Sequence, residues 1–268
     1  MSKEVNNPIP KVIHYVWFGG NPLGEKEQSC IESWKKFCPE FEIIRWDETN
    51  FDVSQYRYCR EAYEAEKWAF VSDFVRLWVL VNHGGIYMDT DVEVVKPLDE
   101  FLSHDAFSGF ESQTAIPTGI MACRKGFPLF EKLLNDYYDR RFLFEDGSLD
   151  LTTNVTTITN TCLARGFVPN NTYQVVDGLA LYPNDWFCPK SHDTGLIHTT
   201  ENTHTIHHFA GSWLEPSAQE IANHKYRIIQ AHPSLNAKVA GAVAKLSYGF
   251  KHGDFNPFFE GIRTNLKK

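Results

Sequence analysis

The segment from Trp68 to Val95, WAFVSDFVRLWVLVNHGGIYMDTDVEVV, constrains the fold more than any other part of the chain. Trp68 to Asn82 reads as a helix that is apolar on almost every side, with Phe70, Val71, Phe74, Val75, Leu77, Val79, Leu80 and Val81. Such a helix must be buried around most of its circumference. It therefore belongs in the middle of a layered domain rather than on its surface. A chain of 268 residues can supply that surrounding, since a domain of this size buries roughly 70–75% of the surface its unfolded form exposes. Ser72, Asp73 and Arg76 share about one face of the helix. An Asp and an Arg buried there must pair with each other, with another residue or with a ligand. Gly84-Gly85 lets the chain turn sharply out of the helix into a strand expected over Ile86–Val95.

The flanking segments fit an α/β domain. Val12–Phe18, rich in β-branched and aromatic residues and closed by Gly19-Gly20, reads as a buried first strand. Helices are expected over 25–37, stopped by Cys38-Pro39, and over 56–65. A second strand is expected over 41–46. This β-α-β-α-β order points to a largely parallel sheet. Further strands are expected over 107–111, 115–122, 173–176 and 203–209, and helices over 127–140 and 154–164. From about Ser217 the chain reads as helical, interrupted at Pro233 and near Gly249–Gly253.

Charge and cysteine usage narrow the function. The formal net charge of −8 argues against a nucleic-acid partner. It is unevenly spread: the last 46 residues carry eight Lys and Arg against Asp254 and Glu260, a net +6, which leaves −14 on residues 1–222. The expected division is therefore a body over 1–222 and a basic helical tail over 223–268. Cys30, Cys38, Cys59, Cys123, Cys162 and Cys188 form no CxxC pair or zinc spacing. With no apolar leader at the N-terminus, they read as reduced thiols in a cytoplasmic protein.

Asp89-Thr90-Asp91 is the main chemical motif. At i and i+2 of a strand the two carboxylates point the same way, and they repel unless a cation neutralises them. Hard oxygen ligands suit Mn2+ or Mg2+, with a phosphate completing the shell. A pair of solvated acids at a strand end is the plain alternative. Asp73 and Arg76 are read either as an internal ion pair or as groups binding ribose, phosphate or sugar oxygens. Trp17, at the end of the first strand, is placed to stack on a nucleobase or to pack in the core. In His207-His208-Phe209-Ala210-Gly211-Ser212-Trp213, strand alternation sends the two imidazoles to opposite faces, so one of them reaches any given metal. His192, His198 and His204 read as surface residues.

Taken together, IPKVIHYVWFGG, the Trp68–Val95 segment, IPTGIMACRKGFP and HHFAGSW resemble glycosyltransferase family 32 over roughly residues 8 to 215. That family includes bacterial capsular and O-antigen polysaccharide transferases and yeast mannosyltransferases, and is similar to the glucosyltransferase domains of large clostridial toxins. The resemblance implies an α/β fold of the GT-A type, Rossmann-like, and a nucleotide-sugar donor. It also implies transfer to an acceptor hydroxyl with retained anomeric configuration. It places Val16, Trp17, Ser72, Asp73, Arg76, Tyr87, Asp89, Thr90, Ser212 and Trp213 at the donor. Asp89, Asp91 and Arg76 become the catalytic set. The metal falls to Asp89, Asp91 and one histidine, with His208 expected and His207 the alternative.

These readings lead to a metal-dependent hexosyltransferase. It would use UDP-galactose, UDP-GalNAc or UDP-glucose and a sugar acceptor, lipid-linked, in capsule or O-antigen synthesis. A nucleotide-sugar hydrolase, a nucleotidyltransferase and a non-catalytic nucleotide-sugar module compete with it, and the reaction product separates them. The chain is too short for the delivery domains of a toxin. Lysines mixed with Val239, Val243, Phe250, Phe255, Phe258 and Phe259 in the tail suit an anionic membrane surface on the cytoplasmic side. The same helices would equally suit packing on the body or a homodimer contact.

Overall fold

The computed structural model describes residues 9–211 and 214–266. The chain divides into two compact units, Met1–Pro189 with Thr199–His208, and Lys190–His198 with Phe209–Lys268.

The first unit begins with β1 (Val12–Val16), α1 (Glu25–Phe37), β2 (Glu42–Trp46), α2 (Arg57–Glu64) and α3 (Trp68–His83). It continues through β3 (Gly85–Met88), β4 (Val92–Val94), β5 (Ala106–Gly109), β6 (Ile120–Cys123), α4 (Pro128–Tyr138) and α5 (Asn154–Leu163). It closes with β7 (Gln174–Val176), β8 (Leu179–Tyr182), α6 (Asn184–Phe187) and β9 (Thr205–His207). Seven strands form one sheet in the order β2-β1-β3-β6-β5-β8-β7, and β4 pairs with β9 in a second, two-stranded sheet.

The architecture is α/β, but the main sheet is mixed rather than largely parallel. β1 runs parallel to β2 and β3, and β5 parallel to β8, whereas β3–β6, β5–β6 and β7–β8 are antiparallel. The reason lies in the connections. β5 and β6 are joined by a loop without a helix, and a parallel neighbour needs a crossover. Pro117, which lacks a ladder N–H, keeps residues 115–119 out of the strand expected there.

α1 forms where its charges favour it: Glu25 and Glu27 lie in the first turn and Lys35 and Lys36 in the last, each complementing the helix dipole. Its buried residues Ile31 and Trp34 join one face of the sheet with Ile86, Met88, Phe101, Phe107 and Phe187. The opposite face packs α2, α3 and α4 through Tyr58, Phe74, Leu77, Leu80, Phe130 and Tyr137. α3 is thus enclosed as its composition requires. A side chain such as Phe74, with no exposed surface, contributes about 1.5–3 kcal/mol by burial. The turn out of α3 depends on glycine twice. Gly84 and Gly85 have φ of 71° and 100°, and a Cβ on them would meet Lys125 N at 2.6 Å and Val12 O at 2.7 Å.

His14 on β1 is a buried residue with both ring nitrogens engaged. Trp46 Nε1 donates to Nδ1 at 3.1 Å, so Nε2 carries the proton and donates to Gly84 O at 2.9 Å. Burial, and then the nearby His83, lower its pKa to about 4, against the Gly84 bond that raises it. The neutral form is favoured on folding, so its contribution is complete above pH 6.5 and is lost as pH falls toward 4. The size is about 3 kcal/mol. Urea unfolding of the wild type and of His14→Phe at pH 7 and pH 4 checks this. The variant is expected to lose that part of the pH dependence; equal slopes in both proteins would refute it.

All six cysteines are buried and free. Burial pushes the Cys30 and Cys162 thiols up to about 12 and Cys38 to about 11, which keeps them protonated and unreactive.

The second unit contains α7 (Pro216–Ala231), α8 (Ala237–His252) and α9 (Asn256–Leu266). The unit therefore starts before residue 223, and its helices break at 232–236 and 253–255. Gly249 lies inside α8, where a Cβ would meet the Phe255 ring at 2.5 Å. Val239, Val243 and Phe250 lie along one stripe of α8 and are exposed, Phe250 by 79%.

Candidate active site

The Asp-x-Asp motif sits in a turn, not within one long strand as expected. β3 ends at Met88, Val92 N donates to Asp89 O at 3.0 Å, and the chain leaves the main sheet for β4. Apolar residues continue on both sides of the motif, which is why the sequence reads as unbroken. Asp89 N donates to Gly119 O at 2.9 Å, fixing the turn against the start of β6.

Asp89 is held from below. Tyr87 OH donates to its Oδ1 at 2.8 Å and Arg76 Nη2 to the same oxygen at 3.1 Å. Arg76 also donates through Nη1 to Thr118 O at 3.1 Å, approaches Asp73 at 3.5 Å and lies over the Tyr87 ring at 4.8 Å. Burial works against its charge, but Asp89, Tyr87 and Asp73 more than compensate and keep it protonated. Asp73 accepts from Asn154 N at 2.9 Å, at the start of α5, and its backbone oxygen accepts from Asn154 Nδ2 at 2.6 Å. Burial raises the Asp73 carboxyl, opposed by Arg76 and that amide. Asp73 and Arg76 thus meet as the internal ion pair of the first reading, and Arg76 reaches on to Asp89. Asn154 lies within 152–157, a segment that, with 114–122, is expected from the sequence to line the sugar pocket.

β9 pairs antiparallel with β4, with His207 opposite Val92. His207 Nε2 stands 3.2 Å from Asp91 Oδ1. Potential ligand atoms of Asp89, Asp91 and His207 all lie within 4.8 Å of one another. His208 points the other way and its Nε2 meets Glu93 at 2.9 Å. Of the two expected candidates, His207, the alternative, is thus the one beside the Asp-x-Asp turn, and His208 the one beside Glu93: alternation separated the two rings but did not say which face held the turn. Burial lowers the affinity of His207 for a proton. Asp91 and a bond with Cys188 outweigh it and hold its pKa well above the ordinary value. Two hard carboxylates and an imidazole suit Mn2+ or Mg2+. Binding of such an ion would replace the His207 proton. Glycine at 119 is required here, since a Cβ would lie 2.7 Å from His207 Nδ1.

The other expected donor residues are placed as follows. Val16 is buried at the end of β1. Trp17 is half-buried at the C-terminal ends of β1 and β2, its N donating to Trp46 O and its Nε1 to Asn21 O at 2.7 Å. Ser72 Oγ donates back to Trp68 O within α3 at 3.0 Å. Thr90 is half-buried at the turn. Ser212 and Trp213 lie outside the described residues. His204, read as a surface residue, is buried and pairs with Glu100 at 2.5 Å while stacking on Trp186.

The third strand of the α/β sheet thus ends in an Asp-x-Asp turn to which a later strand brings a histidine. Residues 24–108 match the family described as the glycosyltransferase sugar-binding region containing DXD motif. It is similar to inositol phosphoceramide mannosyltransferase 3 of Schizosaccharomyces pombe, 29% identical over 136 residues, 48% of this chain and 37% of the relative. The chain thus matches just over a third of that relative's length. It is also similar to an uncharacterized glycosyltransferase of Acanthamoeba polyphaga mimivirus, 27% identical over 74% of this chain and 85% of the relative. Among solved structures, PaToxG glycosyltransferase aligns with a TM-score of 0.41 at 24% identity, covering 48% of this chain and 60% of that one. Galactosyltransferase LgtC aligns with a TM-score of 0.40 at 12% identity, covering 84% and 97%.

Proposed function

We propose that this protein transfers a hexose from a nucleoside-diphosphate sugar to an acceptor hydroxyl, with a divalent metal at Asp89, Asp91 and His207. The observation that carries the reading is the meeting of those three side chains at the strand end where nucleotides bind in open α/β sheets. The metal, Mn2+ or Mg2+, supplies neutralisation of the departing diphosphate. Arg76 anchors Asp89, and Asp73 and Asn154 fix the position of Arg76. Trp17 is the candidate stacking surface for the base. The acceptor oxygen attacks C1 of the sugar as the bond from C1 to the diphosphate oxygen breaks, and the acceptor proton passes to that phosphate. With no covalent nucleophile assigned, attack from the departing side, with retention, is the preferred course.

UDP-galactose, UDP-GalNAc and UDP-glucose are the proposed donors. GDP-mannose is the second reading, favoured by the name of the Schizosaccharomyces pombe relative. A lipid-linked glycan acceptor, as in capsule or O-antigen synthesis, is proposed from the tail. α8 exposes Val239, Val243 and Phe250, and neighbouring Lys238 and Lys251 suit an anionic cytoplasmic leaflet. No helix among the described residues is long and apolar enough to cross a membrane. A homodimer through the same stripe is the alternative use.

A panel of nucleotide sugars with Mn2+ tests the function. The expected result is Mn2+-dependent release of nucleoside diphosphate from one hexose donor, with a new glycosidic bond. Free sugar as the sole product would make the protein a hydrolase; binding without turnover would make it a binding module.

A further inference from the structure

Glu111 is a carboxylate to which the site chemistry so far gives no task. It follows β5, whose pairing extends past Gly109 because Phe110 N donates to Tyr182 O at 2.8 Å. Alternation puts Phe107, Gly109 and Glu111 toward one side of the sheet. Phe107 packs on Phe187 on that side, and a Cβ on Gly109 would sit 3.1 Å from Phe187. The next residue after Phe187 is Cys188, which bonds His207. The loop that begins at Glu111 is tied down along its length. Glu111 N donates to Ala115 O at 2.9 Å and Ile116 N to Thr159 Oγ1 at 3.0 Å. Thr118 and Gly119 accept from Arg76 and Asp89.

His207, Asp89 and Arg76 are the charged groups near enough to act electrostatically on the Glu111 carboxyl. It is half-buried, yet among the described residues it makes no side-chain hydrogen bond or ion pair. Asp73, Asp89, Asp91 and Glu93 are all engaged. Glu111 also lies outside the cluster of three metal-ligating side chains. A half-buried carboxylate with no protein donor is open to a ligand that brings donors. An anionic diphosphate does not fit such a group. Sugar hydroxyls do.

Resting on the proposed transfer reaction, we infer that Glu111 is a specificity-determining residue that accepts hydrogen bonds from hydroxyls of the sugar carried by the donor. A site built to bind a hydroxyl rejects sugars that misplace it.

Calorimetric titration in Mn2+ of wild type, Glu111→Gln and Glu111→Ala separates this role from a structural one. The titrants are UDP, UDP-galactose, UDP-GalNAc, UDP-glucose, GDP and GDP-mannose, with thermal melts as a folding control. Both variants are expected to bind the free nucleoside diphosphate within about twofold of wild type, while the Kd for the preferred sugar donor rises about tenfold or more. The preference among sugars should flatten with it. Equal loss for nucleotide and nucleotide sugar in the isosteric Gln variant, or no loss for either, overturns the assignment. Failure of the wild type to bind any of the six overturns the transfer reading, and Glu111's role with it.

Discussion

Replacing Asp91 with asparagine is expected to lower metal-dependent transfer by about a thousandfold, the scale of losing a group aimed at charge that develops during reaction. Asp91 is 9% exposed, sits beside His207 and supplies one of three clustered ligand groups. The change removes a full negative charge while keeping the shape, so the turn should survive. Mn2+ binding followed by paramagnetic resonance gives a second readout. His207→Ala should weaken it by at least the roughly 10–100-fold that loss of a supporting partner costs. His208→Ala should leave it within about twofold, since His208 faces Glu93. Near-normal turnover in Asp91→Asn, or equal effects at the two histidines, would dismantle the metal assignment.

Arg76→Met is expected to destabilise the fold by about 3–5 kcal/mol, because it leaves buried carboxylates without their counter-charge. Arg76 and Asp73 are 5% and 7% exposed, and Arg76 is the cation that both Asp73 and Asp89 approach. Methionine retains much of the aliphatic stem, so the loss reports the charge rather than a cavity. Urea unfolding at pH 7 measures it. A change under about 1 kcal/mol would mean that Asp73 takes up a proton at little cost, and that the guanidinium serves the donor alone.

Local signals were enough wherever they acted within one element. α1 begins and ends where its charged turns and Pro39 place it, and α3 starts at Trp68 and runs one residue past Asn82, as its apolar run and the glycine pair demand. The Asp-x-Asp motif and Arg76 were legible for the same reason, being close together in the chain, and Tyr87 was marked by the family resemblance. What remained hidden depended on pairing between distant segments. That His207 rather than His208 lies beside Asp91 follows from the register of β9 on β4, which no local pattern encodes. Asn154 enters through the contact of α5 with Asp73. β8 and α6, missed from the sequence, are short segments that follow Asp177-Gly178, and their role emerges only beside β5 and β9. Glu111 carries no motif at all and is recognisable only by what surrounds it.

The meeting of β4 with β9 also bears on how the protein becomes active. Asp91 and His207 are 116 positions apart, so the proposed ion-binding cluster cannot exist in a nascent chain that has folded only its first half. Closing so long a loop is among the slower steps available to a chain. A partly folded or clipped molecule would keep its nucleotide-facing strands and yet remain inert. Manganese affinity should therefore serve as a proofreading mark, reporting that the last strand has arrived.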